Sequence, residues 1–258
     1  MAIADCPQCG GTGWREVPGS NGRVAERCTC TGEDRAQQLL SRARIPDRYR
    51  HCDFESFDTD LPYEASDAQQ ASWNRSLKQA RVLLQGYARE FPIASSTGIL
   101  VMGSCGVGKT HLAVAALRAV ALRGHAALFY DYRELLKEIQ DSYNKEVQAT
   151  EMSVLEPVLR ADLLLLDDLG ASKPSPWALE TVGHILNSRY NANLATLITT
   201  NFSDGDATAA GRSSAAEDTL SDRVGARIRS RLYEMCRTVE IYAPDYRREI
   251  RQAGRFPG

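Results

Sequence analysis

The sequence lacks any long hydrophobic run, and its start lacks the pattern of a signal peptide. No apolar segment reaches the roughly 18 residues that a membrane-spanning helix needs, because the most apolar stretch, residues 112–122, is interrupted by Arg118. Residues 1–6 contain no basic group followed by an apolar segment. These two absences predict a cytoplasmic protein, in which thiols stay reduced.

The sequence also contains few lysines, and its net charge is close to zero. Lys and Arg total 31 against 33 acidic residues, so the formal net charge is −2, and only five of the 31 basic residues are lysine. This balance excludes a uniformly basic nucleic-acid coat and an acidic tail protein. A local basic surface stays open, since residues 221–258 contain nine arginines against five acidic residues. With 258 residues, the chain is long enough for one large domain and a smaller one.

The cysteines are concentrated at the start of the chain. Four of the seven form two close pairs, C-x2-C and C-x-C, with 18 residues between the pairs: Cys6, Cys9, Cys28 and Cys30. Thiolates from two tight turns suit a tetrahedral Zn²⁺ ion, and the glycines after the first pair let backbone amides turn toward the sulfurs. Disulfides and unpaired structural cysteines are the alternatives, and a reducing compartment disfavours the disulfides. The spacing predicts a small zinc-dependent module, whereas Cys52, Cys105 and Cys236 are isolated and are predicted to be ordinary small residues.

The composition divides the chain into three parts. Residues 1–44 contain the four cysteines and a polar helical segment, and Pro46 predicts the end of that helix. Residues 45–95 are a linker and a helix over residues 68–90, and the apolar stripe of this helix is predicted to pack on the following domain. Residues 96–258 are predicted to form that domain. The stripe consists of Trp73, Leu77, Ala80, Leu84 and Tyr87.

A phosphate-binding motif opens the third part. A short apolar strand precedes it, a helix over residues 109–123 follows it, and Lys109 and Thr110 are its last two residues. In this context backbone amides wrap a phosphate, the lysine reaches the β- and γ-phosphates, and the threonine is a ligand of Mg²⁺. The motif therefore predicts a nucleoside triphosphate site. It fits G-x-x-x-x-G-K-[ST] at every position: Gly103, Ser104, Cys105, Gly106, Val107, Gly108, Lys109 and Thr110.

Two later strands end in polar residues suited to the same site. One leads into Asp167, expected to hold Mg²⁺, and Asp168, expected to activate the attacking water; the other ends at Asn201, an amide suited to orient that water. Strands alternating with helices predict an α/β fold, a parallel sheet with helices on both faces. The predicted strands are residues 98–102, 126–130, 163–166, 195–200 and 239–242.

The ordered motifs resemble the AAA+ branch of the P-loop NTPases, and within it the DnaC/DnaI-type helicase loaders and the related IstB-like transposition ATPases. The resemblance spans roughly residues 45–248, and a zinc module ahead of the ATPase resembles the loaders rather than the IstB branch. It implies a RecA-like sheet, with a C-terminal helical lid that is short or absent in this chain. The matching segments are residues 45–50, 54–57, 106–112, 166–170, 199–202 and 227–232.

The resemblance also implies roles for residues outside the motifs. Arg231 matches the arginine finger, which reaches the ATP of a neighbouring subunit, and Arg227 is the alternative. Arg247 matches the sensor-2 arginine, which contacts nucleotide within its own subunit. His111, directly after the phosphate-binding motif, is part of the matched nucleotide-binding segment.

The function that the resemblance implies is ATP-dependent loading of a replicative DNA helicase. Such a loader would bind ATP, Mg²⁺ and Zn²⁺, self-associate, engage the helicase through the zinc module, and contact single-stranded DNA through Tyr143 and Trp177. Two alternatives stay open: a transposition-targeting ATPase acting with a transposase, and a zinc-dependent adaptor in which ATP is a structural switch. Asp168 stands where many relatives have Glu, which leaves the rate of hydrolysis open.

Overall fold

The computed structural model describes residues 6–19, 22–60, 66–93, 97–143, 150–204 and 218–248. In these residues an antiparallel hairpin is followed by a five-stranded parallel sheet with its helices. A short 3₁₀ helix, Asp47–Tyr49, lies between α1 and α2. The other elements, in chain order, are β1 (Trp14–Gly19), β2 (Gly22–Arg27), α1 (Thr29–Arg42), α2 (Asp67–Glu90), β3 (Gly98–Gly103), α3 (Lys109–Leu122), β4 (Ala127–Asp131), α4 (Tyr132–Asp141), α5 (Glu151–Arg160), β5 (Leu163–Asp167), α6 (Pro176–Asn191), β6 (Ala195–Thr200), α7 (Leu220–Met235) and β7 (Cys236–Ile241).

The strand order of the large sheet is β4-β5-β6-β3-β7, with every neighbouring pair parallel. Strand β6 lies between β3 and β5, with Thr200 opposite Met102 and Ile198 opposite Leu166. Parallel strands end at the same edge of a sheet, so the loops after β3, β5 and β6 are adjacent. This edge is where a ligand binds in open α/β sheets.

Helices cover both faces of the sheet, as the sequence predicts. Along β3, Ile99 and Val101 belong to one apolar core, and Leu100 and Met102 belong to another. This alternation is the two-residue period of a strand buried on both faces. The first core contains residues of α2 and α3, and the second contains residues of α4, α5, α6 and α7.

The helix that was predicted to pack on the domain does so. Its stripe residues Leu77, Ala80, Leu84 and Tyr87 are buried, and Trp73 is partly buried against the same core. The five strands predicted for the third part and the helix predicted over residues 109–123 are present, with ends shifted by up to three residues. Helices α5 and α6 and the hairpin β1–β2 were not predicted. None of the described helices is both long and apolar enough to cross a membrane.

The two predicted boundaries between the three parts stay a prediction, and hydrogen bonds that join Ala43 and Arg44 to later residues cross the first of them. Directly after α1, the carbonyl of Ala43 accepts a hydrogen bond from the Phe129 amide of β4 at 2.8 Å. The C-terminal helical lid, which is expected to be short or absent, would follow β7. Only residues 242–248 of that stretch belong to the described ranges.

A buried arginine fixes α6 against the edge of the second core. Arg189 is 0% exposed, and burial lowers the pKa of its guanidinium to about 10. One Nη atom donates to the carbonyls of Val158 and Ala161 at 2.7 and 2.9 Å, and Nε donates to Thr196 Oγ1 at 3.0 Å. The other Nη atom donates to a carbonyl at the start of β6. This side chain therefore joins the end of α5 to α6 and β6.

We expect Arg189→Met to lower the free energy of unfolding by about 3 kcal/mol, because it leaves several buried carbonyls without donors. Urea unfolding followed by circular dichroism measures the loss. The matched control is Arg160→Met, whose side chain is 79% exposed and pairs with Glu156 of the same helix, so little change is expected. Equal stability of the two variants would contradict the assigned role.

Candidate functional site

The loop between β3 and α3 has the backbone that a phosphate-binding loop needs. Gly103 has φ 153° and Gly108 has φ 96°. A Cβ atom on Gly103 would lie 2.5 Å from the carbonyl oxygen of Ile241, and one on Gly108 would lie 2.5 Å from the ring of Phe57. Both positions therefore require glycine by conformation and by space. The loop closes onto the N-terminus of α3, which attracts anions.

Lys109 is the first residue of α3 and points its ammonium back into this loop. Its Nζ donates to the carbonyls of Gly103 at 2.9 Å and Ser104 at 2.8 Å, and to Asn201 Oδ1 at 2.6 Å. The residue is 6% exposed, and burial lowers the pKa of its amine, opposed by nearby thiol and carboxylate groups. A phosphate is the kind of anion that would compensate a buried ammonium here.

Asp167, the last residue of β5, is held by two hydroxyls. Thr199 Oγ1 donates to Asp167 Oδ1 at 2.6 Å, and Thr110 Oγ1 donates to the same oxygen at 2.9 Å. Burial raises the pKa of this carboxyl, and the two hydroxyl donors oppose the rise. A hydroxyl and a carboxylate in contact, at the edge of a phosphate-binding loop, form the oxygen set that Mg²⁺ takes in nucleotide sites.

Asp168 and Asn201 form a polar link between neighbouring strands. Asp168 has φ 59°, an uncommon conformation for a residue other than glycine, and its amide donates to Thr199 Oγ1 at 2.9 Å. Its carboxylate accepts a hydrogen bond from Asn201 Nδ2. Because Asn201 also accepts from Lys109, a continuous chain joins the lysine, the amide and the second acid.

The sequence reasoning missed two residues that contact the predicted acidic residues. Thr199 contacts both acids, and Arg133 Nη2 lies 3.9 Å from Asp168 Oδ2. Arg133 is oriented by Asp131, which caps α4 by accepting from the amides of Arg133 and Glu134. A signal was present, since Asp131 ends β4 and Arg133 follows it, and β4 pairs with β5. The signal can be interpreted only with the strand order, which the sequence reasoning did not predict. That order places β4 beside β5 and so brings Arg133 near Asp168.

These groups line one cavity of about 780 Å³, within the size range of sites for small molecules and cofactors. The predicted residues His111 and Arg247 lie on its wall, together with Arg48, Tyr49 and His51 from the segment before α2. The residues present thus fit a nucleotide and Mg²⁺, by charge, by hydrogen-bonding groups and by volume. The predicted loop residues on the wall are Cys105, Gly106, Val107, Gly108, Lys109 and Thr110.

The described end of the chain closes over the phosphate-binding loop. The Tyr246 amide donates to the Gly106 carbonyl at 3.1 Å, and the Arg247 amide donates to Asp245 Oδ1 at 2.9 Å. A Cβ atom on Gly106 would lie 1.8 Å from the Asp245 carboxylate. Arg247 thus lies on the wall of the cavity, and its sensor-2 role stays a prediction.

The predicted arginine finger does not line the cavity of its own chain. Arg231, on α7, donates to Asn187 Oδ1 at 2.9 Å and to Glu234 Oε2 at 2.6 Å, and its guanidinium stacks on the ring of Tyr190. Arg227 is exposed on the same helix, after a break at Gly225. Neither arginine is among the described residues that line the cavity, so the arginine-finger role stays a prediction.

The two aromatic residues predicted to contact DNA are neighbours in space. The rings of Tyr143, after α4, and Trp177, in the first turn of α6, are edge-on with centroids 6.4 Å apart. Tyr143 is 51% exposed, and its hydroxyl donates to Glu151 at 3.0 Å. Residues 34 positions apart in the sequence thus form one exposed aromatic patch.

The four cysteines near the start of the chain converge. The sulfurs of Cys6 and Cys28 are 3.7 Å apart, those of Cys9 and Cys30 are 3.5 Å apart, and none forms a disulfide. Four sulfurs around a Zn²⁺ ion, at about 2.3 Å from it, lie roughly 3.8 Å apart, so these cysteines fit zinc. The amide of Gly13 donates to Cys9 Sγ at 3.3 Å, and hairpin β1–β2 joins the two pairs.

The parallel sheet and the site at its carboxyl edge define a P-loop protein of the AAA+ type. The sequence profile of the IstB-like ATP binding proteins matches residues 28–253. The chain belongs to this family.

Individual relatives are more distant. The replicative helicase loader DnaC of Buchnera aphidicola (strain Bp) is 24% identical over 160 residues, which are 62% of this chain and 59% of the relative. The chain thus matches about three fifths of the length of such relatives. A crystal structure of the DnaC helicase loader is 28% identical, with a TM-score of 0.59, and the match covers 76% of this chain and all of that one.

A third comparison concerns the fold alone. The AMPPCP-bound DnaA of Aquifex aeolicus has a TM-score of 0.57 at 20% identity, over 82% of this chain and 56% of that one. The predicted resemblance to DnaC-type loaders and the predicted AAA+ fold are thereby confirmed. The roles of the individual site residues stay predictions.

We expect Lys109→Ala to weaken ATP binding about 100-fold, because charge-assisted hydrogen bonds to phosphate contribute roughly 1.5–3 kcal/mol each. The anisotropy of a fluorescent ATP analogue measures the affinity. Lys137→Ala, an exposed lysine on α4, is the matched control and should bind as the wild type does. Unchanged affinity in Lys109→Ala would remove the basis for the site.

Proposed function

We propose that this protein is an ATP-dependent loader of a replicative DNA helicase onto single-stranded DNA. The hydrogen-bonded chain from Lys109 through Asn201 to Asp168 carries the ATPase part of the proposal. The partner is proposed from relatives named replicative helicase loader DnaC. Since the chain matches about three fifths of their length, the partner has to be tested directly.

The residues of the cavity divide the work of hydrolysis. Mg²⁺, held by Thr110 and Asp167, would neutralise phosphate charge. Lys109 binds the transferred phosphate, and Asn201 positions Asp168, which accepts a proton from the attacking water. Asp168 is one methylene shorter than Glu, and the hydrogen bond from Asn201 fixes where its carboxylate lies.

The four-cysteine module is proposed to bind Zn²⁺ and to engage the helicase. A hairpin with six-residue strands buries little apolar surface, so metal binding would supply most of its folding free energy. Trp14 and Val24, on opposite faces of the hairpin, are each more than half exposed, and the Arg27 guanidinium lies over the Trp14 ring. Exposed aromatic and arginine side chains are the groups that contribute most at protein interfaces.

The aromatic patch of Tyr143 and Trp177 is proposed to bind single-stranded DNA. Stacking on aromatic rings contributes roughly 1–3 kcal/mol per base and tolerates any sequence. The patch lies at the start of α6, on the side of the sheet covered by the second core. An exposed ring beside a half-buried one gives a base a supported surface on which to stack.

Self-association is proposed from Arg231. ATP bound in one subunit would be contacted by Arg231 of the next, with Arg227 as the alternative, so hydrolysis would depend on assembly. Arg247, on the cavity wall, would respond to nucleotide within its own subunit. Hydrolysis would then release the loader from the helicase.

The two alternatives differ from this proposal in partner or in chemistry. A transposition ATPase would use the same site with a transposase, and the family name favours it, whereas the four-cysteine module counts against it. An adaptor would bind ATP without turning it over. Wild-type ATP turnover, measured with and without single-stranded DNA, separates the adaptor: no turnover in either condition would exclude the motor.

We expect the wild type with ATP to increase the amount of the host's replicative helicase bound to circular single-stranded DNA. Asp168→Asn should still bind ATP and helicase, but ATP turnover should fall about 100-fold, so the helicase should stay bound to the loader. Sedimentation of DNA complexes and phosphate release are the two measurements. Asp141→Asn, an exposed acid on α4, is the control.

The same experiment has an arm for DNA and an arm for the partner. Tyr143→Ala should weaken binding to labelled oligodeoxythymidine, and Tyr242→Ala, which is 62% exposed elsewhere, should not. The proposal fails if the wild type neither binds the helicase nor changes its loading. Binding to a transposase in place of the helicase would establish the alternative.

We expect Arg231→Ala to lower ATP turnover by about 10³-fold when it is alone, as loss of an arginine finger does. Mixing it with Lys109→Ala should restore part of the turnover, because the second variant supplies Arg231 to sites that still bind ATP. Arg237→Ala, an exposed arginine of β7, is the control. Full activity of Arg231→Ala alone, with loss in Arg227→Ala, would transfer the role to Arg227.

A further inference from the structure

A second cluster of metal-binding residue types lies on the wall of the nucleotide cavity. It consists of His51, Cys52 and His111, each of which offers one ligand atom within 4.8 Å of the other two. Nε2 of His51 lies 3.9 Å from the sulfur of Cys52, and the two imidazole rings are edge-on with centroids 6.1 Å apart. The proposed roles in ATP binding and hydrolysis do not use His51 or Cys52.

The backbone around this cluster is fixed from both sides. The Cys52 amide donates to the Tyr49 carbonyl at 3.0 Å, and its carbonyl accepts from Arg118 of α3 at 2.7 Å. His111, on the first turn of α3, has its Nε2 at 2.9 Å from the Asp53 carbonyl. Ligands whose backbones are held by such contacts lose little further freedom on binding an ion.

The side chains have the chemistry of a zinc site with an open position. Two imidazoles and one thiolate are ligands that Zn²⁺ takes at 2.0–2.3 Å, and sites with three protein ligands keep a fourth position for water or another ligand. A hydrogen bond from one ring nitrogen of a histidine leaves the other with the lone pair that a cation needs, and such a bond orients metal-binding histidines. Cys52 is 1% exposed, whereas His51 is exposed, so an ion would be reached from the cavity side.

We propose that His51, Cys52 and His111 bind a divalent cation of the Zn²⁺ class, separately from the four-cysteine module. The ion joins the segment before α2 to the first turn of α3. Because His111 directly follows Thr110, the ion and a nucleotide occupy adjacent parts of one cavity. Any effect of one occupant on the affinity for the other is reciprocal and has the same factor.

The test measures how many Zn²⁺ ions bind per molecule of the full chain. The protein is first reduced and stripped of metal. Nucleotide is left out, because its phosphates would themselves bind Zn²⁺. Titration against a chromophoric chelator should give two equivalents for the wild type. His51→Ala should bind one, and His184→Ala, an exposed histidine on α6, should bind two. His51 is exposed, so its removal does not disturb the core. Co²⁺ absorption gives a second readout, because bands from thiolate to cobalt report the number of sulfurs bound.

Cys6→Ser separates this site from the four-cysteine module. The proposal predicts that this variant keeps one equivalent, whose Co²⁺ spectrum shows a single sulfur and is lost when His51→Ala is added. The wild type could instead bind one equivalent of Zn²⁺, which is kept in Cys6→Ser and lost in His51→Ala. That result also supports the proposed His51, Cys52 and His111 site, and it counts only against zinc binding by the four-cysteine module. Two equivalents in His51→Ala, or none in Cys6→Ser, would overturn it.

Discussion

The parallel pairing of β6 with both β3 and β5 is the constraint on which the nucleotide site depends. It brings three strand ends together, one leading into the loop before Lys109, one ending at Asp167, and one leading into Asn201. Asn201 follows β6, which lies between β3 and β5. This position allows it to accept a hydrogen bond from Lys109 on one side and to donate one to Asp168 on the other. The crossovers that produce this order place helices on both faces and bury the sheet, and that burial holds the three ends in register.

The site is polar and buried at once, and this combination has a cost. Burial lowers the pKa of Lys109 and raises that of Asp167, so each charged form is disfavoured relative to water. Hydrogen bonds from two threonines and to two loop carbonyls offset the cost without removing it. A phosphate and a divalent cation carry the opposite charges to these two groups. The fold thus maintains, at some expense of stability, an arrangement that a nucleotide with Mg²⁺ would complement.

Local sequence motifs predicted much of the fold and of the nucleotide site. The features that were not predicted depend on contacts between residues far apart in the sequence. The phosphate-binding loop is fixed by glycines within eight residues, and the four-cysteine cluster by two short spacings, so both were accessible from the sequence. Strand order was not, and therefore neither was the approach of Arg133 to Asp168. Helix α5 escaped detection because Pro157 lies inside it, and α6 because it follows a turn-like run of Ser, Lys and Pro. The contact between Tyr143 and Trp177 depends on how two helices meet, which no periodicity describes.

The segment between α1 and α2 is the physical connection between the cysteine module and the nucleotide cavity. At its start, Ala43 bonds to β4 and Arg44 contacts Tyr130 and Glu138. Further along, Tyr49 and its neighbours form part of the cavity wall. The proposed partner of the module would therefore act on a segment that also lines the nucleotide cavity. Coupling between two binding sites is reciprocal, so the proposed binding of a partner and of ATP would change each other's affinity by the same factor.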